Sequence, residues 1–145
     1  MAAGQPEPPI QTSGFREPTI AETLAREFFA AIDERDPHRL RATLADHATF
    51  RALPHGAPVR PADEIVAYFG AVVSSYPQAR WEISDVIATD DRAAVQFVVR
   101  EFSTKLGREL ISEQIAVFRV ANDKIISVVG YYDTAEFRRL FWDEE

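Results

Sequence analysis

The apolar positions of this chain follow two periods. Up to about residue 75 they recur every three to four residues. From residue 81 onward they alternate, which is the strand period. Leu24, Phe28 and Ile32, with Ala21, Ala25 and Phe29 beside them, predict a helix from Thr19 to Arg35. Thr19 and Glu22 stand at capping-box spacing, where each side chain can serve a free N–H of the first turn. Asp36 as N-cap and Pro37 at the first helical position predict a short helix from Pro37 to Leu44, anchored by Leu40 and Leu44. A short strand is predicted from Ala48 to Leu53. Pro54, Gly56, Pro58 and Pro61 break up the loop that follows. A third helix, Pro61 to Ser75, carries Ile65, Tyr68, Phe69, Val72 and Val73. Asp63 and Glu64 suit the positive end of its dipole, and Tyr76-Pro77 ends it.

The remainder alternates. Trp81 to Thr89 and Ala93 to Ser103 read as strands joined by a tight turn at Asp90-Asp91-Arg92. Thr104 to Arg108, with Gly107, is the next turn. Two runs rich in Val, Ile and Phe then flank Ala121-Asn122-Asp123-Lys124, a hairpin signal. On the first of these runs one parity is Leu110, Ser112, Gln114, Ala116, Phe118 and Val120. The other is Glu109, Ile111, Glu113, Ile115, Val117 and Arg119. Neither parity is simply polar, so both faces are expected to be partly covered. Small and polar groups at one end of an apolar face point to a cavity there. A last short helix is predicted from a second capping box, Asp133-Thr134-Ala135-Glu136, with Phe137, Leu140 and Phe141 on one face. Helices first and antiparallel strands afterwards make the fold class α+β.

Composition narrows the function. The chain has 145 residues, 46% hydrophobic, enough for one domain with a sizeable core. Its formal net charge of −7 argues against a nucleic acid or an anionic membrane as partner. There is no cysteine, hence no disulfide framework and no thiol chemistry. Residues 1–18, with Pro6, Pro8, Pro9, Pro18, Gly4 and Gly14, read as a disordered Pro-rich tail ahead of a single domain over 19–145. No signal-peptide pattern and no apolar run long enough to cross a membrane is seen, so a cytoplasmic location is expected. His38, His47 and His55 have no companions at metal-ligand spacing. No nucleophile elbow, phosphate loop or dinucleotide fingerprint occurs. Neither a metal nor a cofactor is expected.

The order of elements, with Val117-Phe118, Asp123-Lys124-Ile125 and Tyr131-Tyr132-Asp133, resembles the nuclear-transport-factor-2-like cone fold. The nearest flavour is its SnoaL-like group, which includes polyketide cyclases, ketosteroid isomerases and limonene-epoxide hydrolases. The resemblance spans residues 19–141. It implies a cone-shaped, curved antiparallel sheet, three N-terminal helices closing a pocket, and a small, mostly hydrophobic ligand. It also implies that Glu101 stands where the epoxide hydrolases carry a catalytic Asp. Two other parts of that pattern are replaced here, an Arg by Val99 and a second Asp by Gly130. The Asp base of the isomerases has no counterpart in Leu53-Pro54-His55-Gly56.

Glu101 continues the parity of Val95, Phe97 and Val99, which points it inward; the competing reading is an edge carboxylate paired with Lys105 or Arg108. Arg51 shares its parity with Leu53, and by the resemblance both face the pocket mouth. There Arg51 either holds Glu101 ionised or clamps a ligand carboxylate, against a solvated Arg on an edge strand. Tyr132 is the third catalytic candidate, as a hydrogen-bond donor, against a core aromatic. His55 would rim the pocket. Tyr68, Val72, Tyr76, Phe97, Val99 and Phe137 would wall it, Ser112 and Gln114 would add hydrogen bonds, and Gly130 would admit close approach. Asp133 reads as a helix cap rather than a catalyst.

Two functions remain open. One is a cofactor-independent isomerase, cyclase, dehydratase or hydrolase. The other is a non-catalytic ligand-binding or dimerisation module. Ile111, Ile115 and Val117, on the outer parity, predict a homodimer through that face.

Overall fold

The computed structural model describes residues 17–53, 57–104 and 106–132. The elements in order are α1 (Ile20–Asp33), α2 (Pro37–Thr43), β1 (Leu44–Leu53), α3 (Ala62–Ser75), β2 (Arg80–Ala88), β3 (Arg92–Ser103), β4 (Arg108–Ala121) and β5 (Lys124–Tyr131). Most of the Pro-rich tail, His55, and the predicted last helix with Asp133 and Phe137 lie outside the described residues.

Local chemistry sets the helix ends. Thr19 Oγ1 accepts the Glu22 N–H at 3.1 Å. The Glu22 carboxylate turns to Arg26 at 2.9 Å, so the capping box forms through its Thr half. Asp36 Oδ1 accepts the Arg39 N–H at 3.1 Å, with Pro37 behind it, as the spacing predicts. Asn122 and Asp123 take φ of 53° and 63°, the left-handed pair that a two-residue hairpin turn requires.

The five strands form one sheet in the order β1-β5-β4-β3-β2. Strands β2 to β5 are the antiparallel meander that the alternation predicts. β1 adds to β5 in parallel, so the sheet is mixed rather than wholly antiparallel. The third helix and three strands separate β1 from β5, a connection long enough to allow the parallel sense. β1 also begins at Leu44, ahead of the expected Ala48, with an irregularity in its pairing between Leu44 and Thr49.

The helices cover the inner face through aromatic rings. Phe28 on α1 meets Phe118 of β4 at 5.2 Å, Phe29 at 5.4 Å and Phe69 of α3 at 5.5 Å between ring centroids, all edge to face. Phe69 in turn meets Phe50 of β1 at 5.0 Å. Phe28 and Phe118 are fully buried. This cluster holds helix and sheet together at one end of the inner face.

Candidate functional site

At the other end of that face the packing opens. Phe50, Val128 and Phe118 are register neighbours across β1, β5 and β4 and fill the space beneath the helices. Two residues along each strand the next row is Ala52, Gly130 and Ala116. A Cβ on Gly130 would meet nothing within 4 Å. The helices are held off by the large row, so the small row leaves a cavity of about 290 Å³. Its walls are Phe28, Phe29, Phe50, Phe69 and Phe97 with Tyr68, Val72, Tyr76, Ala79, Trp81, Val99 and Val128; Glu101, Gln114 and Tyr132 supply polar groups.

Glu101 sits where the parity of β3 sends it, in line with Val95, Phe97 and Val99. Its Oε1 is buried and finds no hydrogen-bond partner among the described residues. Burial pushes the Glu101 carboxyl above the ordinary glutamate value, and the positive charge of Arg35 partly opposes this. Arg100, the preceding residue, points to the opposite face and pairs with Glu82 at 2.8 Å and Glu109 at 3.3 Å. Gln114 Nε2 donates to Ser112 Oγ at 3.1 Å. Burial also raises the hydroxyl pKa of Tyr132 and Tyr68, whose charges would repel each other if ionised.

Most of the expected lining is brought together: Glu101, Tyr132, Tyr68, Val72, Tyr76, Phe97, Val99, Gln114 and Gly130. Three residues are placed otherwise. Arg51 is exposed and lies beside Val129 on the outer face, so it neither contacts Glu101 nor clamps a ligand in the cavity. Leu53 is on the same outer parity, half-buried beside Tyr131. The reason is register: parallel pairing sets Phe50 against Val128 and Ala52 against Gly130, which turns Ala48, Phe50 and Ala52 inward. Ser112 is buried on the expected face but supports Gln114 rather than lining the space.

One device was not foreseen. Arg35, just past the end of α1, has φ of 56°, a left-handed conformation common after helix ends. Its guanidinium donates to the carbonyls of Asp33 at 2.9 Å, Tyr76 at 3.2 Å and Pro77 at 3.0 Å. It also lies 5.6 Å from the centre of the Trp81 ring, a cation–π distance. Asp33 completes the clasp. Its carboxylate accepts Nε and Nη2 of Arg80 at 2.9 and 2.6 Å, and the Trp81 N–H at 2.9 Å. The Arg80 hydrogen bonds hold the Asp33 carboxyl below the usual range. Asp33 and Arg35 thus fix the connection from α3 to β2, which carries the wall residues Tyr76, Ala79 and Trp81. The only local signal is an Arg at the end of a predicted helix.

A SnoaL-like domain model matches residues 25–128. The chain belongs to the SnoaL-like family. Solved structures share its nuclear-transport-factor-2-like fold. A protein of unknown function from Burkholderia pseudomallei K96243, described as NTF2-like, is 23% identical, with 86% of this chain and 99% of that chain covered and a TM-score of 0.74. IdmH from Streptomyces antibioticus, a candidate polyketide cyclase, is 18% identical over 80% of this chain and 94% of its own, with a TM-score of 0.71. TerC, co-crystallised with polyporic acid, is 14% identical over 84% of this chain and 98% of its own, with a TM-score of 0.74. At these identities the likeness shows the fold alone. No curated protein matches the chain.

Two outcomes are expected from this SnoaL-like domain. A raised carboxyl pKa means that the folded state holds the Glu101 proton more tightly than the unfolded chain does. The stability tied to it is present below the ordinary glutamate value and is lost as pH rises through the raised one. Glu101→Gln should therefore raise Tm at pH 7, with the gain disappearing in acid below the ordinary value; a gain independent of pH would contradict a desolvated carboxylate. The second outcome concerns the clasp. Arg35→Ala should shift the Trp81 indole N–H resonance in a ¹H–¹⁵N spectrum and move the Glu101 titration upward. Arg35→Lys should restore the titration but not the Trp81 signal, because lysine keeps the charge and lacks the planar fork. Unchanged spectra in Arg35→Ala would remove the clasp from the site.

Proposed function

We propose that this SnoaL-like domain binds a small, mostly hydrophobic molecule in the cavity under its helices. Where it converts that molecule, it does so without a cofactor, by proton transfer through Glu101. The observation that carries the reading is the buried, unpartnered Oε1 of Glu101 facing an aromatic cavity. A polar group left unsatisfied in an apolar site calls for an explanation, and a ligand that completes its hydrogen bonding is one. Tyr132 and Gln114, on the same cavity, are the hydrogen-bonding groups that would orient the ligand. TerC with polyporic acid and the candidate cyclase IdmH support a small-molecule site on this fold.

Among the described lining residues Glu101 is the one carboxylate. A two-carboxylate hydrolysis of an epoxide would need a second, and Gly130 lies open on β5 instead. Isomerisation or cyclisation, in which one group moves one proton, fits the described lining better than hydrolysis does. A cytoplasmic location belongs to the same reading. No helix of the described residues is long and apolar enough to cross a membrane.

The outer face of the sheet supports a second element, a homodimer. Ile87, Ala94, Val117 and Val129 are register neighbours in one row across β2, β3, β4 and β5. Ile87 is 73% exposed, and Ile111 and Tyr131 on the same face are 42% and 43% exposed. A contiguous apolar strip of this kind marks an interface. If dimerisation were the whole function, the cavity would have no role, so the two readings separate experimentally.

A thermal-shift and native-mass-spectrometry panel of small hydrophobic molecules is expected to find ligands for the parent. Gly130→Leu, which fills the open space, should lose them while keeping the far-ultraviolet circular dichroism of the parent. With a converted ligand in hand, Glu101→Gln should lower the rate about 10²–10⁴-fold, the usual contribution of a positioned acid or base. A Gln variant at the parent rate leaves the binding module as the function. Sedimentation equilibrium at micromolar concentration should show a dimer that Val117→Lys dissociates; a monomeric parent would count against the interface.

A further inference from the structure

The cavity's chemistry narrows the ligand beyond its being small and hydrophobic. The geometry points to an apolar amine: a protonated nitrogen set against Glu101, with its hydrocarbon body among the rings. This inference rests on the cavity being a ligand site.

Three observations carry it. First, half of the described lining residues are aromatic, and the faces of such rings carry negative potential that attracts a cation. Second, the described lining contains a carboxylate and no Lys, Arg or His. The charge that reaches Glu101 comes from Arg35, but Arg35 does not line the space. Its N–H groups are engaged by three carbonyls and its plane lies near Trp81. The remaining titratable lining groups are phenols, Tyr68 on α3, Tyr76 just past its end and Tyr132 after β5, and burial raises the hydroxyl pKa of Tyr68 and Tyr132. Third, the amide nitrogen of Gln114 gives one of its two hydrogens to Ser112, and its carbonyl oxygen adds an acceptor to the lining. The site thus sets a carboxylate acceptor beside ring faces of negative potential, with no cationic side chain in the described lining.

An anionic ligand would be repelled by Glu101. A neutral ketone could take one hydrogen bond from a protonated Glu101 but would gain little from the ring faces. An ammonium gains from both, and it restores the ionised form of a carboxylate that burial disfavours. The volume of about 290 Å³ lies near the lower end of the ~300–1,000 Å³ span of small-molecule sites, which suits a compact amine.

The test is calorimetric titration of the full chain at pH 7 with four probes of similar shape: benzylamine, benzyl alcohol, acetophenone and benzoate. Benzylamine should bind about ten-fold or more tightly than benzyl alcohol, the scale of one charge-assisted hydrogen bond, and benzoate most weakly. In Glu101→Gln the amine-to-alcohol ratio should fall to about one. In the parent the ratio should fall as the pH is lowered through the Glu101 titration. Equal binding of amine and alcohol, a preference for acetophenone, or an amine preference that survives Glu101→Gln overturns the amine while leaving the cavity as a hydrophobic ligand site. Binding of none of the four up to their solubility overturns both.

Discussion

The rest of the structure depends on the edge-to-face contact between Phe28 and Phe118. It joins the first helix to the C-terminal part of the longest strand, and both rings are fully buried. Phe29, Phe69 and Phe50 extend the contact to the third helix and the edge strand. Rings that meet edge to face set the helices at a definite height above the sheet. That height does not shrink where the side chains of the sheet become small. The same cluster is therefore the core at one end of the inner face and the back wall of a cavity at the other. The cavity follows from a row of Ala and Gly under helices held up by a row of Phe and Val.

Glu101 stands at the open end of this arrangement and is electrostatically unsettled. Burial favours its neutral form, and Arg35 favours its charged form without touching it. Arg35 instead ties together the end of the first helix, the end of the third and the beginning of the second strand, through contacts 41 and 42 residues apart in sequence. One cation thus shapes a wall of the site and adjusts the proton affinity of its carboxylate. A change in the wall and a change in the charge state of Glu101 are linked through a single side chain outside the cavity.

The two faces of the sheet divide the work. The inner parity of β3 and β4 carries the cavity groups. The outer parity carries Ile111, Ile115 and Val117, interleaved with Glu109, Glu113 and Arg119. Arg51 belongs to this outer face, away from the cavity. Alternation along a strand makes such a division strict, since a shift of one residue would exchange the faces entirely.

The sequence by itself determined whatever depends on near neighbours along the chain. The Asp36-Pro37 cap, the Thr19 cap, the left-handed Asn122-Asp123 turn and the α+β order are all set within a few residues. The inward placing of Glu101 was legible too, because Phe97 and Val99 precede it at the strand period. A whole-chain pattern made the family resemblance readable as well. Only the tertiary structure decided the rest. Arg51 and Leu53 could be assigned to a face only once β1 had found β5 and taken the parallel sense, with Ala52 against Gly130. The clasp of Asp33 and Arg35 needed Tyr76, Pro77, Arg80 and Trp81 to arrive from more than forty residues away. Periodicity records which side chains share a face. It does not record which face meets which, because that is set by pairing between segments whose separation along the chain carries no local signal.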